Sequence, residues 1–208
     1  MIGWILSDPE IMAWLNKPGR EKLYNSPKYV SVDIVLGLIA TFDYFAPPIG
    51  NPAGDAMTNI DAGGLLAPDP EQFLVTSLQH AVDSTDDTVS VGVLADAITF
   101  ADSQRLIKQG YVLHLQSSQG TEIFMDRCSH IPAGPAQQGF LSTGGFSLWG
   151  TPDMGDAMPF VYEVSTNGKI RARMDAVGVT PAGVLPTTTA TMRSTLYFNG
   201  VRFKTKVK

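Results

Sequence analysis

Residues 110–134 read GYVLHLQSSQGTEIFMDRCSHIPAG, and their pattern sets the fold class of the whole chain. Tyr111, Leu113 and Leu115 alternate with Val112, His114 and Gln116, the period-2 signature of a strand with one face more buried than the other. Ser117, Ser118, Gln119 and Gly120 are turn formers, and a glycine at 120 accepts the positive φ that a tight connection demands. Thr121, Ile123 and Met125 then alternate with Glu122, Phe124 and Asp126 on the return. Pro132, Gly134 and Pro135 end the strand, because proline cannot donate to a ladder. A hairpin in a β-rich domain follows.

Working outward, residues 91–109 place Leu94, Ala97, Ile98, Ala101, Arg105 and Leu106 three and four apart, which predicts a helix closed by Gly110. Residues 71–82 fit either a helix or a strand; Val75 and Thr76 favour the strand. Residues 29–45 read as one strand or two. Residues 160–175 predict a second hairpin, with Phe160, Tyr162 and Val164 opposite Ile170, Ala172 and Met174 across an Asn167-Gly168 type I′ turn. Residues 189–207 repeat that design around Asn199-Gly200. At the other end, Ser7-Asp8-Pro9-Glu10 has the form of a capping box. Ile11, Met12, Trp14 and Leu15 continue it at helical spacing until Pro18-Gly19. This gives a helical arm over residues 1–28, docked on its own domain or on a neighbouring subunit, followed by one β domain over residues 29–208. Two Gly/Pro-rich loops, 46–70 and 132–159, interrupt that domain. Loops of this length are functional or are ordered by a partner.

The 208 residues suffice for one substantial core. Charged residues make up 17%, a low share that suits either a loop-rich β protein, the reading composition alone favours, or a surface partly covered by other subunits. All 20 acidic residues lie before position 176, whereas Arg193, Arg202, Lys204, Lys206 and Lys208 follow it. Such asymmetry suits either a contact with nucleic acid or lipid phosphate, or a solvated strand whose lysines guard a sheet edge. The basic strand lacks the interleaved outward aromatics of a single-strand nucleic-acid platform. With Cys128 as the sole cysteine, neither an internal disulfide nor a cysteine-based zinc cluster can form, which fits a reducing compartment. The longest apolar run, residues 34–42, falls far short of the roughly 20 residues of a membrane span. No secretory signal is visible, so a soluble or at most peripheral protein is expected.

The chemistry-bearing residues form no recognisable catalytic, cofactor or metal set. His114 has Glu122 across the hairpin, but Gln116 stands where a barrel-type metal site wants a second histidine. His80 and His130 are the other two histidines. Cys128 and His130 are two apart on a strand end, yet a buried, inert thiol explains them without a base or a lowered pKa. Gly145-Phe146-Ser147-Leu148-Trp149 misses the nucleophile elbow at Trp149. Asp83, Asp86 and Asp87, and likewise Asp153 and Asp156, match no calcium loop and read as solvated charges. No phosphate-binding glycine loop occurs.

The order of elements nevertheless resembles a known family. A Phe-containing strand (residues 71–82), a helical excursion (91–109), the 110–134 hairpin and the corner His130-Ile131-Pro132-Ala133-Gly134 are similar to jelly-roll capsid proteins of tailless icosahedral bacteriophages, membrane-containing ones among them. Asn199-Gly200-Val201-Arg202 resembles their closing strand. The likeness covers residues 71–145 and the last twenty, in short motifs, and residues 1–70 match nothing. It implies a mainly β, single jelly-roll or β-sandwich fold with one or two helical insertions. It also implies a non-enzymatic structural protein of the virion, made in the host cytoplasm, that self-associates as trimer or pentamer alongside other capsid proteins. No cofactor and no small-molecule substrate are expected, and the basic C-terminal strand is offered to genome or lipid phosphate. The alternatives are a monomeric β-sandwich binding module, for instance for carbohydrate through Trp149 and Tyr162, and a hydrolase whose residues the sequence does not reveal.

Overall fold

The computed structural model of the chain describes residues 9, 12–13, 16–25, 27–35, 41–45, 58–60, 64–84, 107–131, 158–177 and 191–205. They build a β-sandwich of two antiparallel sheets. The first sheet contains β1 (Arg20–Asn25), β2 (Lys28–Val35), β5 (Glu71–Ser84), β8 (Met158–Val164) and β10 (Thr191–Thr205). The second contains β3 (Thr41–Asp43), β4 (Leu65–Ala67), β6 (Tyr111–Ser117), β7 (Glu122–Arg127) and β9 (Gly168–Ala176).

β1 and β2 share one lane beside β10, with Glu21 opposite Lys204 and Lys28 opposite Phe198, on either side of Pro27. β3 and β4 likewise share a lane beside β9, with Asp43 opposite Arg173 and Leu65 opposite Lys169. The first sheet therefore runs β1/β2–β10–β5–β8, and the second β3/β4–β9–β6–β7. Each lane pairs with the one at the mirror position in the chain: the first with the last, the next with the next-to-last, β5 with β8 and β6 with β7. The core lies between the sheets, where Phe73, Leu78, Leu196 and Phe198 from the first meet Leu113, Leu115, Ile170 and Met174 from the second.

The central hairpin forms as its alternation predicts. Tyr111, Leu113 and Leu115 point inward, and Gly120 has φ +80°. Its return strand differs in one respect. Between Leu115–Phe124 and Gln116–Glu122 the register slips by one residue, leaving Ile123 as a bulge. Phe124 rather than Met125 therefore faces the core, and Met125 is 61% exposed. β7 stops at Arg127, where Cys128–His130 turn into a short 3₁₀ helix before the proline is reached.

Both Asn-Gly pairs play parts other than the expected hairpin turns. β8 and β9 are not partners: β8 hydrogen-bonds to β5 in the first sheet, and β9 to β6, β3 and β4 in the second. Their inward residues meet across the core instead of side by side, and the connection is an arch. Gly168 N–H donates to Ser165 O at 2.7 Å, and only Asn167 of the pair has positive φ, at 59°. A type I′ turn needs both. Asn199-Gly200 lies inside β10, which runs unbroken for 15 residues, and marks a register shift against β5. β10 is thus an interior strand, so its cations guard no edge.

Three boundaries also move. Arg20–Asn25, placed by sequence in the helical arm, is a strand of the first sheet, so that sheet begins before residue 29. Within the arm, residues 9, 12 and 13 are helical, and Asn16 N–H donates to Met12 O at 3.1 Å. The 46–70 loop contains β4, and Val30 forms a bridge with Thr58. Residues 107–110 are helical, consistent with the end of the expected 91–109 helix, but Gly110 keeps a negative φ rather than a left-handed cap. The remainder of that helix, most of the 132–159 loop, the Gly145–Trp149 pentapeptide and the Asp86, Asp87, Asp153 and Asp156 positions lie outside the described residues. Among the described residues no helix is long and apolar enough to cross a membrane.

Candidate functional site

The densest polar chemistry lies inside the sandwich, at the end where β5, β9 and β10 approach residues 107–110. β5 carries His80 inward opposite Leu196, and β10 carries Ser194 inward two pairs along, opposite Val82. His80 Nε2 and Ser194 Oγ are 2.7 Å apart, and Ser194 Oγ is 2.7 Å from Tyr44 OH, which follows β3 in the other sheet. Tyr44 OH donates to Met174 Sδ at 3.2 Å, and the Cys128 thiol approaches the same sulfur at 3.6 Å. Lys108 lies fully buried beside them. Its Nζ donates to His80 O at 2.5 Å, Ile131 O at 2.9 Å and Cys128 O at 3.4 Å.

Burial governs the electrostatics of this cluster. It pushes the His80 imidazole well below 6.5, with the Lys108 charge acting in the same direction. Lys108 itself is lowered to about 7, again by burial. The Cys128 thiol rises to about 12 and the Tyr44 phenol well above 10, both chiefly by burial. Ser194–His80 has the spacing of a nucleophile and its base, but the rest of that chemistry is missing. Ser194 is fully buried, its second neighbour is a phenol, and His80 Nδ1 has no hydrogen-bond partner where a triad would place a carboxylate. What the chain of contacts does is tie one sheet to the other. Tyr44→Phe removes the hydroxyl that bridges them, and a loss of about 1–2 kcal/mol in urea unfolding is expected.

The other candidates separate. Cys128 points into the core while His130 is exposed and bonded to Asp126 at 2.8 Å, so the two never meet as thiol and base. His114 stands on the outer face of the second sheet, 3.5 Å from both Glu122 and Asp175. Asp175 is shared with Arg173 at 2.9 Å and Thr41 at 2.9 Å. Among the described residues no three His, Cys, Asp or Glu side chains are grouped to hold a metal ion. On β10, Arg193 forks onto Asp33 (2.9 and 3.3 Å), Arg202 pairs with Glu71, and Lys204 is exposed. Tyr162 is only partly exposed and stacks on Phe160, which is edge-on to Phe124. It supplies no open aromatic platform.

Sequence reasoning missed the Lys108–His80–Ser194–Tyr44 cluster. Lys108 sits near a helix end, where a lysine is ordinarily solvated, and Tyr44, Ser194 and His80 are far apart in the chain. No local signal links them. Comparison with family models, characterised proteins and solved structures returns no match.

Proposed function

We propose that this chain is a self-associating shell protein of the kind that builds icosahedral capsids, and that it works by assembly rather than turnover. The observation that carries the reading is the strand order. First lane with last, second with next-to-last, third with sixth and fourth with fifth is what results when one long antiparallel ribbon, folded at the β6–β7 hairpin, is rolled so that successive pairs alternate between two sheets. We read that order in the β-sandwich as a jelly roll, the architecture that viral capsid proteins share with lectins and cupins. Fold alone does not choose among them. The cupin option wants grouped inward metal ligands, and among the described residues no three His, Cys, Asp or Glu side chains are grouped in that way. The lectin option wants exposed aromatics, and Tyr162 is stacked against Phe160.

A shell repeats one modest interface many times, so each contact can be weak while the particle is stable. In this reading the subunit forms trimers or pentamers, joins other shell proteins in the virion, and turns to genome or lipid phosphate through Lys204, Lys206 and Lys208, since Arg193 and Arg202 already have carboxylate partners. Light scattering of the purified chain over a range of concentrations at two salt levels tests it. Trimers, pentamers or closed particles are expected. A strict monomer under every condition that saturates with a soluble glycan would overturn self-association in favour of a binding module.

A further inference from the structure

We propose that His80 is an acid-operated latch between the two sheets: uptake of a proton at Nδ1 breaks the packing at this end of the sandwich and exposes Cys128. The inference is independent of the assembly reading. Its basis is the bonding of one imidazole. Tyr44 OH donates to Met174 Sδ and so accepts from Ser194, which leaves His80 Nε2–H as donor to Ser194 and Nδ1 as a bare lone pair. If the chain of donors ran the other way, Nδ1 would carry the proton and still face no acceptor. In either case a second ring proton has nowhere to go without water.

The surroundings make that proton harder to hold. β10 presents Ser194, the segment after β3 presents Tyr44, β9 presents Met174, the 3₁₀ turn presents Cys128, and residues 107–110 present Lys108. Among the described residues Tyr44, Cys128 and Lys108 are the titratable members of this set, and none of the three is a carboxylate. Tyr44 and Cys128 are held neutral by burial, while the Lys108 ammonium bonds to the carbonyl of His80 itself. An imidazolium would therefore be unpaired on one nitrogen, beside a like charge, in a site with no exposure. The cheapest escape is to admit water by parting Tyr44 and Met174 from Ser194 and His80, which is to part the sheets.

The sign follows from proton linkage. The folded pKa of His80 is depressed, so the unfolded or opened chain binds the extra proton first. The stability this group contributes is complete above 6.5 and is lost as pH falls from there toward its folded value. Cys128, the only thiol in the chain and fully buried, reports the opening directly. The experiment follows the reaction of Cys128 with 4,4′-dithiodipyridine from pH 7.5 to 5, each rate divided by that of the urea-unfolded chain at the same pH. In the parent protein the ratio is expected to rise up to about tenfold per pH unit below 6.5. In His80→Gln, whose amide retains a bond to Ser194 but does not titrate, the ratio is expected to stay level. An equal rise in both proteins would overturn the latch. If His80→Gln failed to fold, a pH-independent ratio in the parent protein would overturn it, and a rise that tracks protonation of the assigned His80 ring resonance would support it.

Discussion

Gly200→Ala is expected to cost about 4 kcal/mol or more, enough to remove most of the stability of an ordinary domain, from the addition of one methyl group. A Cβ at position 200 would stand 2.0 Å from Leu74 O, 2.9 Å from Leu74 C and 2.9 Å from Phe73 Cε2. Two of these are backbone atoms of β5, and no rotamer change relieves them. Nor is there room to retreat. β10 has β1 and β2 on its far side, and β5 has β8 on its own. The sheet is also tight on both faces: Phe73, Val75 and Leu78 are buried in the shared core. Leu74, Ala81, Val201 and Phe203 lie outside that cluster and are still at most 8% exposed. Gly120→Ala is the control. It meets nothing within 4 Å, and its positive φ alone costs about 1 kcal/mol. Urea unfolding of the two variants checks the contrast. A Gly200→Ala midpoint close to that of Gly120→Ala would mean that β5 and β10 do not approach as closely as described.

The same glycine shows where sequence reading succeeds and where it stops. The 110–127 hairpin was legible because its two strands are neighbours both in the chain and in the sheet, so alternation and turn chemistry point the same way. Residues 158–176 carry an equally clean alternation and a strong turn pair, yet the two strands belong to opposite sheets. Period-2 patterning states which residues face inward and is silent on whether the inward faces lie side by side or across a core. Asn199-Gly200 misleads for a related reason. A glycine serves a turn through its φ and a strand interior through its missing Cβ, and the letters are identical. β5 resisted assignment because it is buried on both faces, which erases the alternation that would identify it. The interior polar cluster was illegible altogether. Its members are joined by registers between strands distant in sequence, and those registers are products of the fold.

Lys108→Met is the second substitution with a large expected effect, a loss of about 2–4 kcal/mol at pH 7 from the buried carbonyls that lose their donor. Replacing a whole buried charge network with apolar groups is often tolerated, because every partner disappears together. That route is closed here. The partners of Lys108 are the carbonyls of His80, Cys128 and Ile131, which no substitution removes, so methionine fills the volume but takes the buried donor from His80 O and Ile131 O and leaves Cys128 O only the Ile131 N–H at 3.3 Å. Those carbonyls belong to β5 in one sheet and to the turn after β7 in the other, so the ammonium, like Tyr44, joins the two layers. The pH dependence separates this account from simple loss of packing. The folded pKa of Lys108 is lowered from 10.5 to about 7, so its contribution is fully present above 10.5 and diminishes as pH falls toward about 7. Between pH 7 and 8.5, below the ordinary thiol value of 9.0 from which the raised pKa of Cys128 begins to act in the opposite sense, the parent protein gains stability and Lys108→Met does not. The difference between their urea midpoints should therefore widen with alkalinity. A difference that stays constant over that interval would show that Lys108 keeps its proton in the folded protein, bound as an ammonium by all three carbonyls.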